Sequence, residues 1–453
     1  MKTCFKCLIL CLFLVGISGS GNAQNPILDR YVKLGLDSNL TLVSKNLSLK
    51  KAMNGLEAAR TMYLPNISFE LTYTHADGGR SIDLPVGDML NPVYTTLNQL
   101  TQSQAFPQIE NQQINFLPQP YYDAKVRTSV PIINTDIKHN RQIRETMVKI
   151  NKQELEQYKR ELVKDIKIAY FNYLSALEAK AIYENAASLA KEGRRVNQKL
   201  LDAGKGLPAY VVRADAEIAQ QEAKIAEAEQ QVKNAQYYFN ALLNRDAEAP
   251  ITESDGKSEA VQTMGQPLQV DISAREELKS LQDNIQIQET MLDMNKQVYI
   301  PKLNAFLDLG SQAEGMKISS QSQYYMVGAQ LSFPIFAGNR NKLKIQESQI
   351  AVAEARNQLV QAKQQLELVA RMSQNEMLAM QKNYESSKVQ LEAAATYQRL
   401  ILRGFQEGVN TYIETIDARS QYTNAQLANN IAAFKLLSAL AKFERENASY
   451  PLN

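Results

Sequence analysis

The sequence predicts a mainly α-helical fold that also carries a membrane-spanning β-sheet, with long coiled-coil helical hairpins and four strands per chain. Three observations predict it. Apolar residues recur every seven positions along very long proline-free stretches. Four segments of strand length alternate apolar and polar side chains. The series strand, proline, long helix, glycine turn and return helix occurs twice.

The chain has 453 residues and begins with a segment unlike the rest. Lys2 and Lys6 form a basic start, Leu8 to Val15 an apolar run, and Gly21-Asn22-Ala23 a small-residue cleavage site. Residues 1–23 therefore read as a secretory signal peptide, the apolar run being too short to span a bilayer. Cys4, Cys7 and Cys11 all fall within it, so the mature chain is expected to hold no thiol, disulfide or cysteine metal site. Without Lys2 and Lys6, 48 basic side chains stand against 48 acidic ones. That balance gives no sign of a nucleic-acid partner. No later stretch approaches the roughly 18 consecutive apolar residues of a membrane helix.

The helices are justified by their seams. Val211, Ile218, Ile225, Val232 and Phe239 lie seven apart, beside a second row of Ala214, Ala228, Ala235 and Leu242. Leu155, Leu162, Ala169 and Ala176 repeat the rhythm, as do Ile345, Val352, Leu359 and Leu366. Such seams call for partner helices, and their alanines permit close approach. Thr135 to Leu201 and Ala337 to Arg403 contain no proline, and each would reach roughly 100 Å as a helix.

The strands are justified by alternation. Ile67, Phe69, Leu71 and Tyr73 alternate with polar residues, and so do Tyr122, Ala124, Val126 and Val130. Leu303, Ala305, Leu307 and Leu309 form a third case, and Tyr325, Val327, Ala329, Leu331 and Phe333 a fourth. The length and pattern fit a strand with lipid on one side and water on the other. Alternation alone favours an ordinary half-buried soluble strand.

The internal repeat weighs against a soluble reading. Tyr121-Tyr122 and Pro131 recur 203 residues later as Tyr324-Tyr325 and Pro334; Gly204 to Ala214 recurs 204 residues later as Gly408 to Ala418. Two repeats follow, 24–245 and 272–446, joined by a linker at 246–271 and ended by a tail at 447–453. Pro131 and Pro334 mark strand-to-helix passages. The glycine turns at Gly204 and Gly408 reverse the long helices. The segment from His75 to Pro120 is the large asymmetry between repeats and reads as a surface loop without periodicity. Four strands cannot close a barrel and open edges are excluded in lipid, so the chain is expected to oligomerise, three copies giving twelve strands. Tyr121, Tyr122, Tyr324 and Tyr325, paired at matching strand starts, suit an aromatic girdle at the membrane surface.

The order of these elements, doubled, resembles the TolC-like outer-membrane efflux family. The resemblance covers essentially the whole mature chain. It rests on Tyr31-Val32 with Asn39-Leu40 before the first helix, Tyr63-Leu64-Pro65, Ser129-Val130-Pro131, Arg275 to Leu278, Tyr299-Ile300-Pro301, Ser332-Phe333-Pro334 and Gly408 to Ala418. The resemblance implies a homotrimer in outer-membrane lipid of a Gram-negative bacterium, with a twelve-stranded barrel and a twelve-helix periplasmic tunnel. It implies a passive exit duct of a tripartite efflux or type I secretion system, without cofactor or catalysis. The implied partners are a periplasmic adaptor (membrane fusion protein) and an inner-membrane pump of RND or ABC type. Carried over by position, Glu414 and Asp417 line the periplasmic gate, and the helix-tip turns at Gly204, Lys205, Gly206, Gly408 and Asn410 meet the adaptor. The family's tyrosine-arginine latch is missing, Phe405 and Asn410 standing at its positions.

The residues themselves carry no chemistry of another kind. His75 and His139 are the two histidines, and no glycine-rich phosphate loop precedes a helix. A duct for small molecules and a duct for secreted proteins share these features. A secreted coiled-coil adhesin or scaffold is the reading from another class, and it requires neither lipid-facing strands nor the doubled order.

Overall fold

A computed structural model describes residues 26–116, 120–255, 258 and 269–452. The expected signal peptide, residues 1–23, lies outside the described residues, as do Gly256, Gly265 and Pro267 of the linker. In chain order the elements are α1 (Pro26–Ser38), α2 (Leu40–Thr61), β1 (Asn66–Thr74), β2 (Ser81–Leu84), α3 (Val86–Leu100), β3 (Gln112–Asn115) and β4 (Tyr121–Ile133). They continue with α4 (Thr135–Asp202), α5 (Pro208–Leu242), α6 (Glu276–Lys296), β5 (Lys302–Glu314), β6 (Gln323–Ser332), α7 (Arg340–Gln406) and α8 (Tyr412–Glu446). By packing, the chain divides into two units. One runs up to Met53 and takes in Thr146–Ile287 and everything from Ala351 onward; the other is Asn54–Glu145 with Gln288–Ile350.

The second unit holds the sheet. Its order is β1-β4-β5-β6, antiparallel throughout, so β1 and β6 are its edges. The register aligns the apolar sets: Phe69 faces Val126, Val126 faces Leu309, and Leu309 faces Tyr325. One face is thereby apolar and open, with Phe69 68% and Val327 73% exposed. The alternate positions form a polar face wired by charge. Lys125 Nζ lies 3.0 Å from Asp123 and 3.6 Å from Glu70. Arg127 donates to both oxygens of Asp308, Nε at 2.8 Å and Nη2 at 2.6 Å. Pro131 stands inside β4 rather than after it. Its β1 partnering has already ended at Ser129, so the missing N–H is not needed there, and the register with β5 shifts between Pro131 and Ile133. Pro334 follows β6, as expected.

The segment from His75 to Pro120 is not an irregular loop. It contains the two-stranded sheet β2-β3 and the helix α3. Asparagines hold it together. Asn91 donates to Ile109 O at 2.9 Å and accepts from Ile109 N at 2.8 Å; seven residues on, Asn98 does the same for Phe106 at 2.8 and 3.0 Å. Tyr94 packs on Phe106 between them, ring centres 5.8 Å apart. The order comes from side-chain amides copying backbone pairing, which leaves no apolar period in the sequence.

The first unit is helical. The repeats are legible in its lengths: α4 has 68 residues and α7 has 67, and both return helices, α5 and α8, have 35. α7 begins at Arg340 rather than Ala337, because Gly338 (φ 59°) and Asn339 (φ 62°) take left-handed backbone that a helix does not admit. Tyr31 and Val32 lie within a helix, α1, and not ahead of one. Asn39 breaks α1 from α2, accepting from Leu42 N at 3.1 Å and donating to Leu242 O at 3.0 Å. The large core residues gather around α1: Tyr31, Tyr170 and Phe239 stack at 5.0–5.8 Å, with Leu162, Ile166, Leu243 and Leu437 buried about them. Elsewhere along the helices the buried seam is of small residues, Ala190, Ala214, Ala228 and Ala418.

Charge ties the end of α8 to this core. Arg275 pairs with Glu277 at 2.8 Å and Glu446 at 2.5 Å, and Arg445 bridges Glu277 (2.9 Å) and Glu161 (2.7 Å). Burial pushes the Glu277 carboxyl up, but the hydrogen bonds and charge of Arg275, aided by Arg445, outweigh it and bring it down to about 2. The tail is docked as well: Arg160 donates to Tyr450 O at 2.6 Å, and Lys167 sits 4.4 Å over the Tyr450 ring.

Candidate functional site

Both helix reversals are built the same way. After α4, Gly204 takes φ +74°, its N–H donating to Leu201 O (2.9 Å) while that of Lys205 donates to Leu200 O (2.9 Å). After α7, Gly408 takes φ +78°, with N–H of Gly408 on Phe405 O (3.1 Å) and of Val409 on Gly404 O (2.8 Å). This paired bonding satisfies the last carbonyls of a helix and needs a left-handed residue, which glycine supplies without steric cost. The two turns then part. The first continues through Gly206, whose Cα lies so close to α4 that a Cβ would sit 2.6 Å from Leu201 N, and restarts at Pro208 in the first helical position. The second restarts through a capping box of Thr411 and Glu414.

Glu414 is thus engaged within its own turn. Its carboxylate accepts from Thr411 N at 2.5 Å, Thr411 Oγ1 at 3.0 Å and Asn410 Nδ2 at 3.3 Å. These bonds, the backbone one first, hold its pKa below the ordinary carboxylate value. Asp417, one turn on, accepts from Gln421 at 2.7 Å. Both acids are exposed on α8. Asn410 is half-buried and folds back over Gly404, so the outward-facing residues at the two turns are Lys205, Leu207 (55% exposed) and Val409 (80%).

Behind the acids lies a cluster of aromatic and charged side chains. Tyr412 is fully buried, its ring 5.6 Å from Tyr210 and 6.1 Å from Phe405. Arg419 lies 5.6 Å over that ring and pairs with Glu217 at 2.7 Å. Phe405, at one position of the missing latch, packs against the Tyr412 ring. Asp215 and Arg419 occupy equivalent repeat positions with opposite charge, but they pair elsewhere, with Arg194 and Glu217, and the repeat counterpart of Glu217 is the neutral Gln421, so the sequence carries no signal for the pair.

The four tyrosines divide between the two faces of the sheet. Neighbours in a strand point to opposite faces. Tyr122 and Tyr325 share the apolar face, while Tyr121 and Tyr324 share the polar one and donate to Gln312 (2.6 Å) and Asp123 (2.7 Å). Tyr325 is 77% exposed, whereas Tyr122 is buried, bonded to Ser311 at 2.8 Å. Tyr73, 57% exposed, faces Tyr122 from β1.

A family description, outer membrane efflux protein, matches residues 32–245 and 272–445. The chain belongs to the outer membrane efflux protein family. Solved structures similar to it include the outer-membrane channel OprN (17% identity, 93% of this chain and 90% of that one, TM-score 0.72). The Campylobacter jejuni outer membrane channel CmeC matches at 14% identity over 93% of this chain and 85% of that one, TM-score 0.73. The Vibrio cholerae outer membrane protein VceC matches at 13% identity over 92% and 95%, TM-score 0.71. None of the curated proteins compared with the chain matches it. Among the described residues of this efflux protein, no helix is long and apolar enough to cross a membrane, and no three His, Cys, Asp or Glu side chains are grouped to hold a metal ion.

Proposed function

We propose that this efflux protein is the outer-membrane exit duct of a tripartite efflux system in a Gram-negative bacterium, three copies closing one barrel of twelve strands and one tube of twelve helices. The observation that carries the reading is the sheet: four strands with an open apolar face and two unpaired edges. Such edges are untenable in lipid until another chain pairs with them. Apolar residues left exposed along α7, among them Val360, Leu368, Met372 and Val389, supply the matching need for neighbours among the helices. OprN and CmeC, described as outer membrane channels, support it from the fold. The helix-tip turns then form the periplasmic end, where a periplasmic adaptor docks beneath an inner-membrane pump, and Glu414 and Asp417 line the entrance. Conduction is passive. A type I secretion duct differs in its pump and cargo and shares this architecture.

The test is stoichiometry. Detergent-solubilised protein should have the native mass of three chains, and crosslinkers placed at Lys205 should capture the adaptor. A monomer containing a closed barrel would falsify the reading.

A further inference from the structure

We infer that the polar face of the sheet carries a binding niche for planar aromatic molecules bearing a hydrogen-bond acceptor such as a carboxylate or phenolate. A cavity of about 480 Å³ opens there, between the ends of β4, β5 and β6 and the start of α4. That volume is within the range of small-molecule sites.

Its geometry is built rather than incidental. Phe306 faces Gly328 across β5 and β6, and a Cβ at Gly328 would lie 2.6 Å from Phe306 Cζ. Glycine is what lets the ring lie down against β6. Arg127 stands 5.3 Å over that ring. Its direction is fixed by Asp308, whose side chain is 2% exposed and takes Nε and Nη2 of the guanidinium. Arg127 itself is 38% exposed, and among the described residues no hydrogen bond is made by Nη1. One donor of a rigid fork is thus held beside an aromatic surface. The amides of Asn304 and Gln330, facing each other across the strands, stand next to it, and Pro131 and Ile137 form the apolar wall. A flat ring packs against the edge of Phe306 that Gly328 and Arg127 leave open, an acceptor on that ring takes the donor of Arg127, and the amides hold further polar groups.

The niche rests on the duct reading, because only in a closed barrel does this face line the passage. The experiment separates the two. The full-length trimer is reconstituted in a planar bilayer, and 2-naphthoate is added, with cyclohexanecarboxylate as the non-planar control. Unitary conductance in the parent is expected; its absence overturns the duct and the niche together. With conductance present, naphthoate should interrupt the current, and cyclohexanecarboxylate should not. Phe306→Leu should shorten the interruptions about tenfold. So should Arg127→Gln combined with Asp308→Asn, which avoids leaving a buried carboxylate unpaired. Equilibrium dialysis of detergent-solubilised parent should give one naphthoate per chain. Interruptions of parental length in both variants, equal interruption by the cyclohexane acid, or no saturable binding in dialysis would each overturn the niche while leaving the duct standing.

Discussion

Glu414 holds two assignments at once: a cap for its own helix and a charge at the proposed entrance. The cap keeps the carboxylate ionised to lower pH than usual, so the two do not conflict. They do dictate the mutant. Alanine would remove the cap along with the charge, whereas Glu414→Gln keeps an acceptor for Thr411. Combined with Asp417→Asn, it should weaken block by multivalent cations applied from the periplasmic side, without altering trimer mass or melting temperature. Unchanged block would sink the gate assignment and leave these acids as a solvated helix face. Glu277 poses a different question, of stability. Its folded pKa is about 2 against an ordinary 4.5, so as pH falls the unfolded chain is protonated first. The stabilisation is whole above pH 4.5 and drains away toward 2. Melting temperatures of the parent and Glu277→Gln should therefore differ near neutrality and converge in acid. A gap independent of pH would mean that the carboxylate adds nothing.

At the scale of elements, periodic burial is what the sequence records. Each long helix was legible because its seam residues must meet a partner every seven positions, and each of the four long strands because one face is apolar. Glycine turns were legible from their doubled spacing. What escaped was set by contacts without a period. The β2-α3-β3 insertion is held by Asn91 and Asn98, whose amides bond backbone and leave no apolar trace. Arg419 with Glu217 is a single pair, and a single pair leaves no period in the sequence. Pro131 was assigned to a passage although it sits in β4, because sequence does not reveal that β1 ends first. The insertion is the element most open to test. Asn98→Ala removes two hydrogen bonds to Phe106, worth about 1–3 kcal/mol locally. Protease applied to intact cells should then cleave between Thr101 and Ile109 markedly faster than in the parent. Equal cleavage would mean that the return segment is held by something other than this pair.

For the molecule as a whole, the sheet edges decide how copies meet. In the proposed ring β6 of one protomer pairs with β1 of the next, because pairing an edge with its own counterpart would leave the other two edges open. Contacts of this head-to-tail kind carry no count of their own; they run on until curvature brings the last edge to the first. A consequence concerns mixed populations. A protomer with a competent β1 and a blocked β6 would join a ring and leave it without a closing partner. With three chains to a ring, as proposed, a cell making equal amounts of blocked and intact chains would leave roughly one ring in eight free of the defect. An allele of that kind would be dominant, silencing most of the product of a healthy copy beside it.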